Sequence, residues 1–167
     1  MTLLTAFAVL AAGDFGSTFF YHVPQHLWFT LHLRTHHDRR RSYWEHAMLA
    51  FEPALLLDGL LGALPYLATA ALLWRVSWRG ALAGLALGQL HVWWRHTGDL
   101  GWRSPPPLRA ACGMLGIVVP EDHDGHHRNP ATEFGDIFRF YDAPARALLA
   151  ALSPTRRRRT APPGVKV

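Results

Sequence analysis

The sequence predicts an all-α fold: an integral-membrane helical bundle of three or four membrane segments, with a histidine-rich metal site on its cytoplasmic face. Three observations predict it. Half of the 167 residues are hydrophobic and gather in long apolar stretches. The mean hydropathy nevertheless stays near zero, because polar stretches rich in His and Arg lie between them. Ten of the eleven histidines fall in four tight clusters beside those apolar stretches.

The elements follow in order. Residues 2–20 (TLLTAFAVLAAGDFGSTFF) have the length and content of a first membrane helix. No basic segment precedes them and no A-x-A site follows, so they read as a span rather than a cleaved signal. Asp14 and two nearby glycines require protein or headgroup partners there. Tyr21 to His46 is polar and rich in His, Arg and aromatics. Residues 53–74 are again apolar and long enough to cross. Asp58, Gly62 and Pro65 interrupt them, which leaves a continuous crossing, a broken helix or a short re-entrant hairpin open. Arg75 and Arg79, flanked by Trp74 and Trp78, form an interfacial pattern. Residues 80–94 run back, and their small residues permit close helix packing.

Ser104-Pro-Pro-Pro107 then breaks the chain. Ala110 to Val119 is a short apolar stretch suited to an interface, and Pro144 to Leu152 suits a surface helix. Residues 154–167, rich in Pro and Arg, lack the apolar content to fold and are expected to be disordered. The reading is one membrane-bound domain over residues 1–153 and a basic tail over 154–167.

The net charge of +5 is almost all Arg, concentrated at 34–41 and 156–159. Beside apolar spans, such runs read as anchors facing anionic lipid on the cytoplasmic side. No nucleic-acid-binding motif accompanies the charge, so nucleic acid is not an expected partner. With an odd number of spans, all four His clusters and both Arg runs reach one face. The single Cys112 excludes an intrachain disulfide and an iron–sulfur cluster held by this chain's own thiolates.

The clusters are His22-x3-His26, His32-x3-His36-His37, His91-x4-His96 and His123-x2-His126-His127. Imidazole is the commonest metal ligand. Spacings of three and four aim several rings at one point from one helix face. Adjacent rings diverge, so each doublet can serve two metals. This is more nitrogen than one tetrahedral ion can use, and it points to two ions. His91 and His96 are five apart and diverge by about 140° on one helix. Both ligate only if the helix ends or distorts between them. His46 reads as a neighbour of the site rather than a ligand. Histidine-rich sites suit zinc, iron, copper or nickel. There is no Gly-rich phosphate loop, no G-x-S-x-G and no H-E-x-x-H. A membrane metal transporter or sensor and a zinc-dependent membrane hydrolase stay open as alternatives.

Taken together, the motifs resemble the fatty acid hydroxylase/sterol desaturase superfamily of integral-membrane histidine-box enzymes. The boxes read His-Val-Pro-Gln-His, His-Leu-Arg-Thr-His-His and His-Asp-Gly-His-His. A further histidine, His96, ends the intervening helix. Glu133-Phe134-Gly135 and Phe140-Tyr141-Asp142 match the segments that follow the last box, and Asp14 matches an acid before the first. The resemblance covers roughly residues 13–150. It implies an O2-dependent oxidoreductase with two non-haem iron ions, zinc being a possible substitute in purified samples. The implied ligands are His22, His26, His32, His36, His37, His96, His123, His126 and His127, with His91 as a further candidate. The implied substrate is a fatty acyl, sterol-like or carotenoid lipid that is hydroxylated or desaturated. The chain carries no fused electron-transfer domain, so electrons are expected from a separate ferredoxin or cytochrome b5-like donor with its reductase. The small size and the His-x4-His cluster are also similar to bacterial carotenoid ring hydroxylases of the same wider group.

Overall fold

The computed structural model describes residues 1–37 and 42–160, apart from the side chains of His46 and of residues 154–160. The expectations placed on the ring of His46, on residues 38–41 of the first Arg run and on residues 161–167 of the tail therefore lie outside the described residues. Of the described residues 80% are helical, and none lies in a strand.

Helix α1 (Thr2–Gly16) continues through a π-helical turn (Ser17–His22) into α2 (Val23–Leu27). The three form one rod of 26 residues, about 39 Å long. Pro24 has no N–H to offer the carbonyl of Phe20, and the wide turn just before it absorbs that loss. Up to Gly13 the rod is apolar all round, and from Asp14 on its buried side turns polar. Thr5, Ala6 and Val9 are buried, whereas Leu3, Leu4 and Phe7 face outward.

Helix α4 (Pro53–Arg95) is broken at Ser77, whose φ of −162° and ψ of 98° are not helical. The chain folds back there. A Cβ placed on Gly88 would stand 3.9 Å from the Tyr66 ring. On a straight helix those residues would be about 33 Å apart. The two arms, 53–76 and 78–95, share a small core with α1 formed by Val9, Ala70 and Ala81, flanked by Leu73 and Leu85. Close approach is what glycine supplies here. A Cβ on Gly84 would meet the Val9 Cβ at 2.7 Å and the Ala6 carbonyl at 2.9 Å.

The interruptions at Asp58, Gly62 and Pro65 do not break the first arm. Pro65 instead packs its ring against Gly16, where a methyl would come within 2.6 Å of it. The sequence offers no Pro or Gly at Ser77 itself, so the true break was not marked by a breaker residue.

Two helices, Thr2–Leu27 and Pro53–Leu100, are long and apolar enough to cross a membrane. Only 17% of the apolar window in the second is buried. A helix of a soluble core would hide that surface, whereas here Leu57, Leu60, Leu72 and Leu90 point outward.

The remaining elements collect at one end of the bundle. They are α3 (Leu31–Thr35), a second π-helical turn (Glu45–Leu49), a 3₁₀ turn (His96–Leu100), α5 (Pro106–Leu115), α6 (Pro120–Arg128) and α7 (Asp142–Thr160). Helix α5 leaves Met114 and Leu115 exposed while Cys112 is buried, as an interfacial helix would. Phe134 and Ala145 pack on Val23 and Leu27 and dock this end onto α2.

Candidate metal centre

Nine of the ten candidate histidines converge in two groups. His22, His26, His32, His37 and His126 form the first; His36, His96, His123 and His127 form the second. Within each group the ligand atoms lie within 4.8 Å of one another. Both doublets are divided. His37 and His126 turn to the first group, His36 and His127 to the second. Each group thus draws most of its rings from one half of the chain and one ring from the other.

Local structure explains the aim of each ring. His22 leaves the π-helical turn and His26 lies one turn further along α2, so both rings project from the same face. Helix α3 carries His32, and the backbone N–H groups of His36 and His37 close onto the His32 carbonyl at 2.9 and 3.2 Å. Helix α6 begins at Pro120, and the Asp122 carboxylate accepts from the Val119 N–H at 3.1 Å. That start sets the register of His123, His126 and His127. The α-helix ends at Arg95, and His96 opens the 3₁₀ turn.

His91 does not join. It remains inside the helix, and its Nε2–H donates to the Val118 carbonyl at 2.9 Å. The angle between positions five apart carries its ring away from that of His96.

The hydrogen bonds fix the tautomers. Nδ1–H of His22 donates to the Phe134 carbonyl at 2.9 Å, that of His126 to the Thr132 carbonyl at 2.5 Å, and that of His96 to the Val92 carbonyl at 2.6 Å. His32 Nδ1–H donates to Asp58 Oδ2 at 3.1 Å, and Asp58 Oδ1 accepts from the Tyr21 hydroxyl. A carbonyl only accepts, so each Nε2 of a neutral ring carries a lone pair. Those of His22 and His126 face each other, and that of His96 faces the Nε2 atoms of His36 and His123. His22 and His126 Nε2 are 3.0 Å apart, and His96 Nε2 is 3.2 Å from His36 Nε2 and 3.0 Å from His123 Nε2. His32 Nε2 and both ring nitrogens of His37 are buried with no hydrogen-bond partner.

Lone pair against lone pair at this range is repulsive unless a cation lies between. Two nitrogens each about 2.1 Å from one ion stand about 3.0–3.4 Å apart. The donor set therefore fits a metal in each group.

The rings are neutral, as ligands must be. Burial, then neighbouring imidazoles, lower His37 to about 3 and His127 to about 2. Burial takes His126 to about 4 despite its bond to Thr132. Burial and the surrounding rings hold His36 and His123 well below the usual imidazole value.

A cavity of about 560 Å³ runs from the centre between the π-helical turn Ser17–His22 and the two arms of α4. His22 and His32 of the first group, and His36, His96 and His123 of the second, lie in its wall. Leu55, Leu60, Ala63, Leu67 and Leu85 line the rest with Tyr66, Gln89 and Trp93. An apolar chain fits such a wall, and the metal groups stand at one end of it.

The fatty acid hydroxylase family profile matches residues 6–145. The chain belongs to the fatty acid hydroxylase family. No curated protein and no solved structure gives a match. Family membership makes this chain an oxidoreductase of the lipid-modifying class. With its two apolar helices, it also marks the chain as a membrane protein.

In this fatty acid hydroxylase-family chain, the motifs outside the boxes act as scaffolding. Buried Asp14 accepts the backbone N–H groups of Asp136, Ile137 and Phe138 at 2.9, 3.0 and 2.6 Å. Asp142 accepts the Phe134 N–H at 3.1 Å, and the Tyr141 hydroxyl donates to the Ala11 carbonyl at 2.9 Å. The loop so pinned presents the Phe134 carbonyl to His22 and places the Phe134 ring against His22, His26 and His126. Asp136 binds Arg95 at 2.6 Å and accepts from Ser17 at 2.6 Å. Burial pushes the Asp136 carboxyl up, but Arg95 and Ser17 outweigh it and hold the group below the usual carboxylate range.

Sequence reasoning missed Asp58 and Tyr21 as parts of the site. Asp58 stands out only as the one acid inside the 53–74 run, and that oddity was the available signal.

Proposed function

We propose that this chain is a membrane di-iron oxidoreductase that uses O2 and electrons from a separate donor to hydroxylate or desaturate an apolar lipid. The observation that carries the reading is the pair of imidazole groups at the end of an apolar cavity. When bound, two irons supply the means to activate O2 and oxidise an unactivated C–H bond, which no side chain here can do alone.

The chain's own residues do the rest. His22, His26, His32, His37 and His126 would hold one ion, and His36, His96, His123 and His127 the other. The carbonyls of Phe134, Thr132 and Val92 and the Asp58 carboxylate orient the rings and hold the proton on Nδ1. Leu55, Leu60, Leu67 and Leu85 bind the substrate chain, keep water from the reacting carbon and bring one carbon to the centre. The fold-back at Ser77 favours three crossings. Arg34, Arg103, Arg128 and Arg139 at the metal end favour a cytoplasmic centre. That face is also where a ferredoxin or cytochrome b5-like donor would dock.

The test is elemental mass spectrometry on protein purified in detergent from iron-supplemented cells, with a lipid and carotenoid product screen. About two irons per chain, and a product lost together with iron in His126→Ala, are expected. Zinc alone after anaerobic iron reconstitution, with no oxidised product, would overturn the reading.

A further inference from the structure

The charged groups in the cavity wall are already matched. Arg95 is bound to Asp136, and Asp58 to His32 and Tyr21. Four neutral polar side chains are not: Tyr43, which stacks on the His96 ring at the metal end, Trp93, and further from that end Tyr66 and Gln89. Tyr66 and Gln89 line the cavity, and no hydrogen bond joins either side chain to another described residue. They sit at one level, because the Tyr66 ring lies against Gly88, the residue before Gln89. Gln89 is also exposed, so the cavity wall is open at its level. A carboxamide facing hydrocarbon without a partner costs on the order of 2 kcal/mol or more, so an amide kept in a membrane-crossing arm calls for a partner.

Position sharpens the point. Gln89 lies in the second arm, and His96, seven residues on, follows directly after its last residue. That is two helical turns, about 10 Å, with both residues on the same face. An extended chain reaches about 1.2 Å per bond, so about eight bonds span that gap.

We propose that Tyr66 and Gln89 form a recognition subsite for a neutral oxygen, a hydroxyl or ketone, carried by an otherwise apolar substrate. The inference rests on the oxidoreductase reading for what happens at the metal end. The subsite holds the oxygen about eight bonds from the carbon that meets the centre, and so selects which carbon is oxidised. A carboxylate is a poor occupant, since no free cation among the described lining residues would match it. The amide at the outer edge of the cavity places the opening toward the lipid, between the two arms.

The test uses the metal-loaded full chain in detergent. Its isotope-labelled probes are octadecane and octadecan-9-one. The ketone is expected to bind roughly five- to tenfold more tightly than the alkane, the worth of one or two hydrogen bonds. Gln89→Leu and Tyr66→Phe should each cut that preference to about twofold or less, with alkane binding and metal content unchanged. Equal binding of the two probes by the native chain would overturn the proposal. So would a preference that survives both substitutions. If Gln89→Leu converts a dimer to a monomer and leaves the preference intact, the amide belongs to a contact between copies and the proposal falls. A chain that holds two irons and oxidises lipids without the preference would sink the subsite alone. Preferential ketone binding without iron would sink the oxidoreductase reading alone.

Discussion

Asp58 reaches across from the first arm of α4 to His32, its Oδ2 standing 3.1 Å from Nδ1, while its other oxygen accepts from Tyr21. A carboxylate buried in an apolar arm is costly unless it is fully matched, and here it is matched on both oxygens. It fixes the tautomer of His32 and leaves Nε2 free to ligate. Asp58→Asn should weaken metal binding by about 10- to 100-fold, the usual effect of losing such an orienting partner. Competition against a chromophoric chelator measures it. Unchanged affinity would mean that His32 is aimed by packing alone.

The division of the doublets predicts a selective pattern of loss. His37→Ala should remove one ion of two, and His127→Ala the other, each leaving about one metal per chain. His91→Ala should leave about two. Elemental analysis of the three purified variants decides it. Equal loss in all three would contradict the two separate groups.

Acid should unfold the metal-free protein by a defined route. The folded rings of His37, His126 and His127 sit at about 3, 4 and 2. In the unfolded chain a His titrates near 6.5. Between those values the unfolded state binds more protons, so stability falls as pH falls. Thermal unfolding of the metal-free protein in detergent should move to lower temperature from about pH 7 down to about pH 4. Metal should resist the shift, because bound rings cannot take a proton. A flat profile would mean that other groups govern its acid stability.

Asp14→Ala would strand three buried backbone N–H groups, each costing about 1–3 kcal/mol. The expected result is a loss of about 3 kcal/mol or more in unfolding free energy, with a fall in metal content as the Phe134 carbonyl drifts from His22. Denaturant titration alongside elemental analysis reads both. Asp14→Asn, with one acceptor oxygen left, should lose less of each.

Much of this architecture was legible in the sequence because imidazole is rare and its spacing reports a helix face. The apolar stretch at 2–20 and the run from 53 were equally plain, whereas the continuation of the first helix through the first His box to Leu27 was not. The loop after the last box could be seen as a motif, but its task could not. What aims His22, His96 and His126 is a carbonyl in each case, and every residue has one, so no residue type marks the position. Asp58 was visible as an anomaly, yet its partner lies on another element and pairing across the fold leaves no local pattern. The return of the chain between 75 and 79 was legible from the Trp and Arg pattern and the apolar run after it, although no breaker residue marks Ser77 itself. Gly80 and Gly84 let the second arm close onto α1.

The crossing of one ring from each half of the chain into the other half's group has a consequence for maturation. His36 and His37 are consecutive, so seating either one in an ion's shell nearly settles the place of its neighbour. The same holds for His126 and His127. The first ion to arrive therefore acts as a clasp between the amino- and carboxy-terminal halves and organises the berth for the second. Loading should be positively coupled: a variant that keeps only one group, such as His37→Ala, should hold its single ion several-fold more weakly than the native chain holds it beside the other.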